Sequence, residues 1–368
     1  MNDIKVIRQE IAPGRRILVT SDIHGHLNHL KRVLNKAKFC VDDLLVIVGD
    51  VIEKGPESLK TLRYVMELCE RGNVIVLAGN VDIWRVQMIE GINESNADDF
   101  YNYLLSMRQW KGTSIFDEMA TECKKKINSA ADVLSSKKSI TVHFKPELDF
   151  LRNRPVALET QNYIFVHGGM PRKTLNDIES LNIYSFLKYD NFMATELCFD
   201  KYIAVGHWPV TLYGEKIPQS NPMINKEKKI ISIDGGCGLK KDGQLNLIEI
   251  PEISCDVDKI KIYSDDELPV CVAVEDQKSS ADSINITWEN NQIAELDCKD
   301  DFTYAEHIST GRKLWIHNDY IYTEHRCEDY TDYVLPVKKG DMLSVVKKTS
   351  RGYIAKKDGV TGWYYGQI

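Results

Sequence analysis

Ile17-Leu18-Val19-Thr20-Ser21-Asp22-Ile23-His24-Gly25 reads as a short strand running straight into two side chains able to bind a metal ion. Asp22 and His24 are two apart, so in an extended segment they face the same way. Four more apolar runs end similarly. Leu44–Val48 leads into Gly49-Asp50, and Val74–Leu77 into Ala78-Gly79-Asn80. Tyr163–Val166 leads into His167-Gly168-Gly169, and Tyr202–Val205 into Gly206-His207. A glycine beside each ligating side chain lets the backbone turn sharply and leaves room for a ligand. In α/β folds, sites form at the carboxyl ends of strands.

One Gly-Asp after a strand is usually just a turn, and a lone histidine is usually structural. Five such endings in one stretch of chain point instead to a converging set: Asp22, His24, Asp50, Asn80, His167 and His207. Oxygen and imidazole donors without thiolates suit Mn, placed first, or Fe, Zn or Ni. Six ligands exceed what one open ion of this type takes. They fit two ions about 3.5–4 Å apart with one carboxylate bridging.

Working outward, helical stretches are expected at Leu27–Lys38, Pro56–Arg71 and much of Asn80–Arg108. The interval from Asn80 to His167 adds Ala97–Met107, Ile115–Ala131 and Pro146–Arg152. Further strand-like runs are Ile230–Ile233 and Leu245–Ile250. This is an α/β core with helices packed on sheets. After Pro251 the pattern changes to charged and polar stretches, then short β-like runs. The expected domains are 1–253, a linker over 254–282, and a β-rich region over 283–368. Lys339-Gly340-Asp341 and Gly362-Trp363 give its last part, about 330–368, an SH3-like look. Trp363, Tyr364 and Tyr365 are candidates for lining a peptide groove there, and ordinary barrel positions are an equally good reading.

The 368 residues carry a net charge of -7, which argues against bulk binding to nucleic acid or anionic lipid. No apolar run approaches the ~20 residues of a membrane span, and the start of the chain lacks a signal-peptide core. The nine cysteines form no C-x-x-C pair. They read as free thiols of a cytoplasmic protein rather than a disulfide framework or zinc–thiolate site.

Taken together, S-D-I-H-G, G-D-V-I-E-K-G, G-N-V-D, H-G-G and G-H-W-P resemble the calcineurin-like metallophosphoesterase signature. They are nearest to the serine/threonine phosphoprotein phosphatase branch, which includes bacterial protein phosphatases and diadenosine tetraphosphatases. Ile233-Asp234-Gly235-Gly236-Cys237 resembles that branch's closing I-D-x-G-C strand. The resemblance implies two central sheets sandwiched by helices. It also implies that Asp22 and His24 hold one metal, Asp50 bridges, and Asn80, His167 and His207 hold the second. A water acidified by two cations would attack phosphorus in line.

Departures from the family pattern fall on the proton donor. The family's G-N-H-E/D histidine is Val81 here, and its V-D-R-G aspartate is Glu53. Lys54 replaces the arginine of that block, keeping charge but losing the two-pronged grip on phosphate. Arg172 and Lys188 are candidates for a second phosphate contact, although idle surface cations are commoner. Asp82, Glu53, His26 and His29 are candidate replacement donors. Trp84, Arg85, Tyr101, Tyr103 and Trp110 could wall the cleft, with Trp110 better read as core. The first functional expectation is a serine/threonine-type protein phosphatase acting on phosphoprotein or small phosphate esters, with a peptide or protein partner at the SH3-like module. The alternatives are a diadenosine tetraphosphate or nucleotide phosphohydrolase, and a metal-binding pseudophosphatase.

Overall fold

The computed structural model describes residues 4–178, 180–323 and 325–368. The chain forms two units. The first comprises Met1–Pro209, Pro222–Leu239 and Gln244–Asp265.

Two mixed sheets form its centre. One runs in the order β1 (Val6–Arg8), β5 (Ala157–Glu159), β6 (Tyr163–Val166), β7 (Tyr202–Val205), β9 (Ile230–Ser232) and β8 (Met223–Asn225). The other runs β11 (Lys261–Asp265), β10 (Leu245–Ile250), β2 (Ile17–Thr20), β3 (Leu44–Ile47) and β4 (Val74–Val76). β2, β3 and β4 are parallel, as are β6, β7 and β9, so each sheet presents several carboxyl ends on one side.

Side-chain alternation explains the layering. Ile17, Val19, Leu44 and Val46 share one core with Tyr163, Phe165, Ala204 and Ile231, which locks the sheets face to face. The residues between them point the other way. Leu18, Leu45 and Ile47 pack on the helices α1 (Leu27–Lys36) and α2 (Ser58–Glu70). Ile164, Val166, Ile203 and Val205 pack with Phe186 and Phe192 on the opposite outer face. Strands buried on both faces read as unbroken apolar runs, which is why they were visible in the sequence.

Between Asn80 and His167 lie α3 (Asn80–Gly91), α4 (Ala97–Lys111), α5 (Ile115–Glu122), α6 (Ala130–His143) and α7 (Lys145–Arg152). The single helix expected over Ile115–Ala131 stops at Glu122, and a separate helix begins at Ala130. Ser129 caps that second helix by accepting the Asp132 N–H. A last helix, α8 (Tyr184–Leu187), follows β6.

The expected linker over 254–282 is not one. Lys261–Asp265 pairs antiparallel with β10 and forms the edge of the five-stranded sheet. Val270–Val272 pairs with Met342–Thr349 in the second unit. The charged side chains that suggested a linker serve an exposed edge strand, where charge discourages further pairing.

The second unit comprises Val210–Asn221, Lys240–Gly243 and Asp266–Ile368. Its largest sheet joins Val270–Val272, Met342–Thr349, Gly352–Lys357 and Val360–Tyr364. A three-stranded meander joins Ile293–Lys299, Phe302–His307 and Arg312–His317. Trp363 and Tyr364 are buried, the indole N–H donating to Thr331 O at 2.9 Å. Of the three aromatic residues considered for a groove, Tyr365 alone is exposed, stacked on the Trp363 ring. Among the described residues no helix is long and apolar enough to cross a membrane.

Candidate metal centre

Strand-end loops bring the six candidate ligands together through main-chain bonds. The N–H of Asp22 donates to Gly49 O, and that of His24 to Asp50 O, at 3.1 and 3.0 Å. Gly206 N–H donates to His167 O at 2.9 Å. Asp22, His24, Asp50 and His207 all have positive φ, from 49° to 65°. Such strain at non-glycine residues costs about 1–3 kcal/mol each and persists where the surroundings enforce it. Two glycines show how close the packing is. A Cβ at Gly79 would overlap Asp50 N and Oδ1, and one at Gly206 would overlap Asp22 Oδ2.

Asp50 sits between two groups of donors. Its Oδ2 lies 3.8 Å from His24 Nε2, and its Oδ1 lies 3.5 Å from His167 Nε2. Asp22, His24 and Asp50 offer ligand atoms within 4.8 Å of one another. On the other side, Asn80 Oδ1 lies 2.8 Å from His167 Nε2 and 3.0 Å from His207 Nδ1.

The histidines are held from behind. His24 Nδ1–H donates to Ile52 O at 3.2 Å, and His167 Nδ1–H to Val48 O at 2.7 Å. His207 Nε2–H donates to the Asp190 carboxylate at 2.8 Å. Each bond fixes a tautomer that presents the other ring nitrogen to the centre, the arrangement usual for metal-binding imidazoles. Nothing in the sequence marks Asp190; its exposed side chain is identified only by the ring it reaches. Asp190→Ala is expected to weaken metal binding by about 10–100-fold, read by titration with Mn.

This donor set fits divalent cations. With its Nε2–H given to Asp190, His207 faces the Asn80 amide oxygen acceptor to acceptor, a contact that a cation resolves. Burial holds His24 well below its ordinary pKa and pushes His207 down to about 4, so both are neutral ligands. Burial also opposes charge on His167, but the Asp50 and Asp22 carboxylates outweigh it and raise the pKa to about 10. Its proton offsets negative charge that a bound cation would offset instead.

Other sequence candidates are placed differently. Lys54 Nζ reaches the cluster, 3.0 Å from His24 Nε2. Val81, near the start of α3, donates its N–H to Asp50 Oδ1 at 2.9 Å. Asp82 is not aimed at substrate: its Oδ1 accepts the N–H groups of Val51 and Ile52 at 3.0 and 3.2 Å, bracing the turn after Asp50. Burial and then the neighbouring Asp50 charge push its pKa up to about 7. Glu53 is also no free acid. It is 1% exposed, pairs with Arg85 at 2.7 Å and accepts the Ile115 N–H at 3.1 Å. Arg85, equally buried, is bonded to Tyr103 Oη and so belongs to the interior rather than a cleft wall.

Arg172 is exposed and donates to Asp177 O in its own loop. Lys188 is exposed at the end of α8, two residues before Asp190. His29 donates to Asp265 at 2.8 Å, and His26 packs edge-on against it. Trp110, expected in the core, is 55% exposed. Tyr101 Oη–H donates to Asn128 O, whereas Trp84 lines a cavity of about 360 Å³ with Met88, Ile92 and Phe100.

Two sheets whose carboxyl ends converge on carboxylate, amide and imidazole donors define a metal-dependent phosphoesterase architecture. The calcineurin-like phosphoesterase family model matches residues 15–231, and the chain belongs to that family. It is 28% identical over 146 residues to a symmetrical bis(5'-nucleosyl)-tetraphosphatase of Buchnera aphidicola subsp. Schizaphis graminum, covering 39% of this chain and 50% of the relative. It thus spans about half that relative's length. A protein of the same name from Buchnera aphidicola subsp. Baizongia pistaciae is 27% identical over 261 residues, covering 59% of this chain and 88% of the relative. Among solved structures, a putative diadenosine tetraphosphatase aligns with 72% of this chain and 99% of its own, at 16% identity and a TM-score of 0.43.

Proposed function

We propose that this centre hydrolyses phosphoanhydride bonds of dinucleoside polyphosphates. The observation that carries the reading is that the residues at the motif's donor positions, Val81, Glu53 and Asp82, offer no free acid to a poor leaving group. Val81 has no proton to give, Glu53 is tied to Arg85, and Asp82 is tied to two backbone amides. A nucleoside diphosphate leaving group has its last pKa near ~6, like a phosphate monoester, and departs without protonation. A serine or threonine alkoxide does not, and loss of general-acid help there costs about 10²–10⁴-fold. The names of the two relatives support the same substrate class, so it is preferred to the phosphoprotein substrate placed first from sequence.

In this reading Asp22, His24 and Asp50 would hold one divalent ion, and Asp50, Asn80, His167 and His207 would hold a second, with Mn the first choice and Fe, Zn and Ni the alternatives. Such ions supply Lewis acidity toward phosphoryl oxygens and lower the pKa of a bound water. The chain's own contribution is placement. The Val81 N–H holds the Asp50 carboxylate between the two sets, and Asp82 braces the turn that follows it. The Lys54 ammonium supplies positive charge to the phosphate chain as a point contact, without the fork of an arginine.

Val81→His tests the leaving-group argument. Restoring a donor should raise hydrolysis of phosphomonoesters with poor leaving groups by up to ~10²-fold, and leave diadenosine tetraphosphate nearly unchanged. Equal effects on both substrates, in a panel of aryl and alkyl phosphates, would contradict the assignment.

A further inference from the structure

Beside the strand-end ligands lies a second cluster of donor atoms. His26 occupies the N-cap position of α1 without a side-chain capping bond, His29 lies three residues further on, and Cys237 lies in the segment after β9. One ligand atom from each lies within 4.8 Å of the other two. Ligands about 2.0–2.3 Å from a common tetrahedral ion stand about 3.3–3.8 Å apart, so the cluster has to close by up to about 1.5 Å to hold one. His29 and Cys237 are buried, and His26 is half-buried. The imidazole rings meet edge to face, 5.1 Å between centroids.

The orientation of His29 is the second observation. Its Nδ1–H donates to Asp265 Oδ2 at 2.8 Å, which makes Nε2 the acceptor nitrogen of the neutral ring. Arg32 and Lys36 bind the same carboxylate at 2.7 and 3.0 Å and, against its burial, help keep it ionised. A carboxylate held behind an imidazole in this way is the usual support of a metal ligand.

We propose that His26, His29 and Cys237 form a separate cation site for a thiophilic divalent ion of the zinc class. Two imidazoles and a thiolate are a zinc-type set with one position left for water. It differs from the thiol-free set at the strand ends, so the two sites sort ions by softness. Binding displaces the Cys237 thiol proton to solvent and forms the metal–sulfur bond. The ion would tie the first turn of α1 to the end of β9. A Cβ at the next residue, Gly238, would stand 2.9 Å from His26 Nε2 and 3.4 Å from His24 Cβ, so this segment packs directly behind the His24 loop. Cys237, set aside with the other cysteines from sequence, thereby gains a positioning role.

The test uses the full chain stripped of metal and titrated with Co²⁺. The wild type and Asp50→Asn should both develop a near-ultraviolet thiolate-to-cobalt charge-transfer band. Cys237→Ser should lose it, and His26→Gln should weaken Co²⁺ binding at this band by about 10-fold or more. No band in the wild type, or a band that survives in Cys237→Ser, overturns the proposal. Should Cys237→Ser fail to fold, zinc protection of wild-type Cys237 from alkylation, located by peptide mass, decides: protection supports the site and unchanged labelling refutes it.

Discussion

Asp50→Asn should lower turnover of the Mn-loaded protein by about 10³-fold, with a matching fall in bound metal measured by elemental analysis. Asparagine keeps the side chain's volume and one acceptor oxygen, so the Val81 N–H retains its partner. It loses the negative charge and replaces Oδ2, the atom facing His24, with an amide nitrogen. If, as proposed, one carboxylate is shared between two cations, the variant keeps a donor for only one of them. Several kcal/mol of transition-state stabilisation rest on such ions, and each ~1.4 kcal/mol is a factor of ten. Full metal content with unchanged turnover would show that Asp50 is not shared.

Arg85→Met should destabilise the protein by about 3–5 kcal/mol, because it leaves Glu53 buried without its cation. Both side chains are 1% exposed and 2.7 Å apart, so the pair is screened little by solvent. Burial, first among its influences, already raises the Glu53 pKa in the native protein despite Arg85. Removing Arg85 raises it further. The sign of the pH dependence follows. Between the unfolded and folded pKa values the native state binds more protons than the unfolded state, so stability increases as pH falls through that window. Urea melts of Arg85→Met should show its deficit largest at neutral pH and shrinking toward the acid side. Adding Glu53→Leu should recover much of the loss, since an apolar pair of similar volume replaces a stranded charge. A deficit independent of pH, with no recovery in the double variant, would contradict this account.

These two residues also mark what the sequence could and could not show. The strands and the candidate ligands were legible because a doubly buried strand is an unbroken apolar run and the candidate ligands follow at once in the chain. Asp22 and His24, Asp50, Asn80, His167 and His207 all carry that local signal, and the structure draws them together. Glu53 carried the same local signal and misled. What takes it out of play is Arg85, a residue on a helix after the next strand, and no motif records that pairing. Asp82 was likewise a donor by its place in the motif, but it is a brace by its hydrogen bonds. Asp190 was invisible because it acts through His207 from a loop without pattern.

The helices show the same division. α1 and α2 were read nearly in full because their apolar faces meet a sheet. α6 was missed because only Val133, Ser136 and Ile140 are buried along it, too sparse a stripe to register. Its one clear mark was Ser129 with Asp132 three residues later, a capping pattern that sets a helix start without apolar help. In the charged stretch after Pro251, lysine and aspartate suggested a tether, whereas the main chain of Lys261–Asp265 is paired through its whole length with β10.

The most direct measurement compares substrates on one preparation. Mn-loaded protein is given diadenosine tetraphosphate and a phosphoserine peptide separately, and kcat/KM is determined for each. The proposed centre, with two divalent ions and no free acid at the motif's donor positions, should favour the anhydride by at least ~10²-fold, the lower end of what general-acid help is worth. A phosphoserine peptide hydrolysed as fast or faster, or two bound ions with no turnover of either substrate, would contradict it.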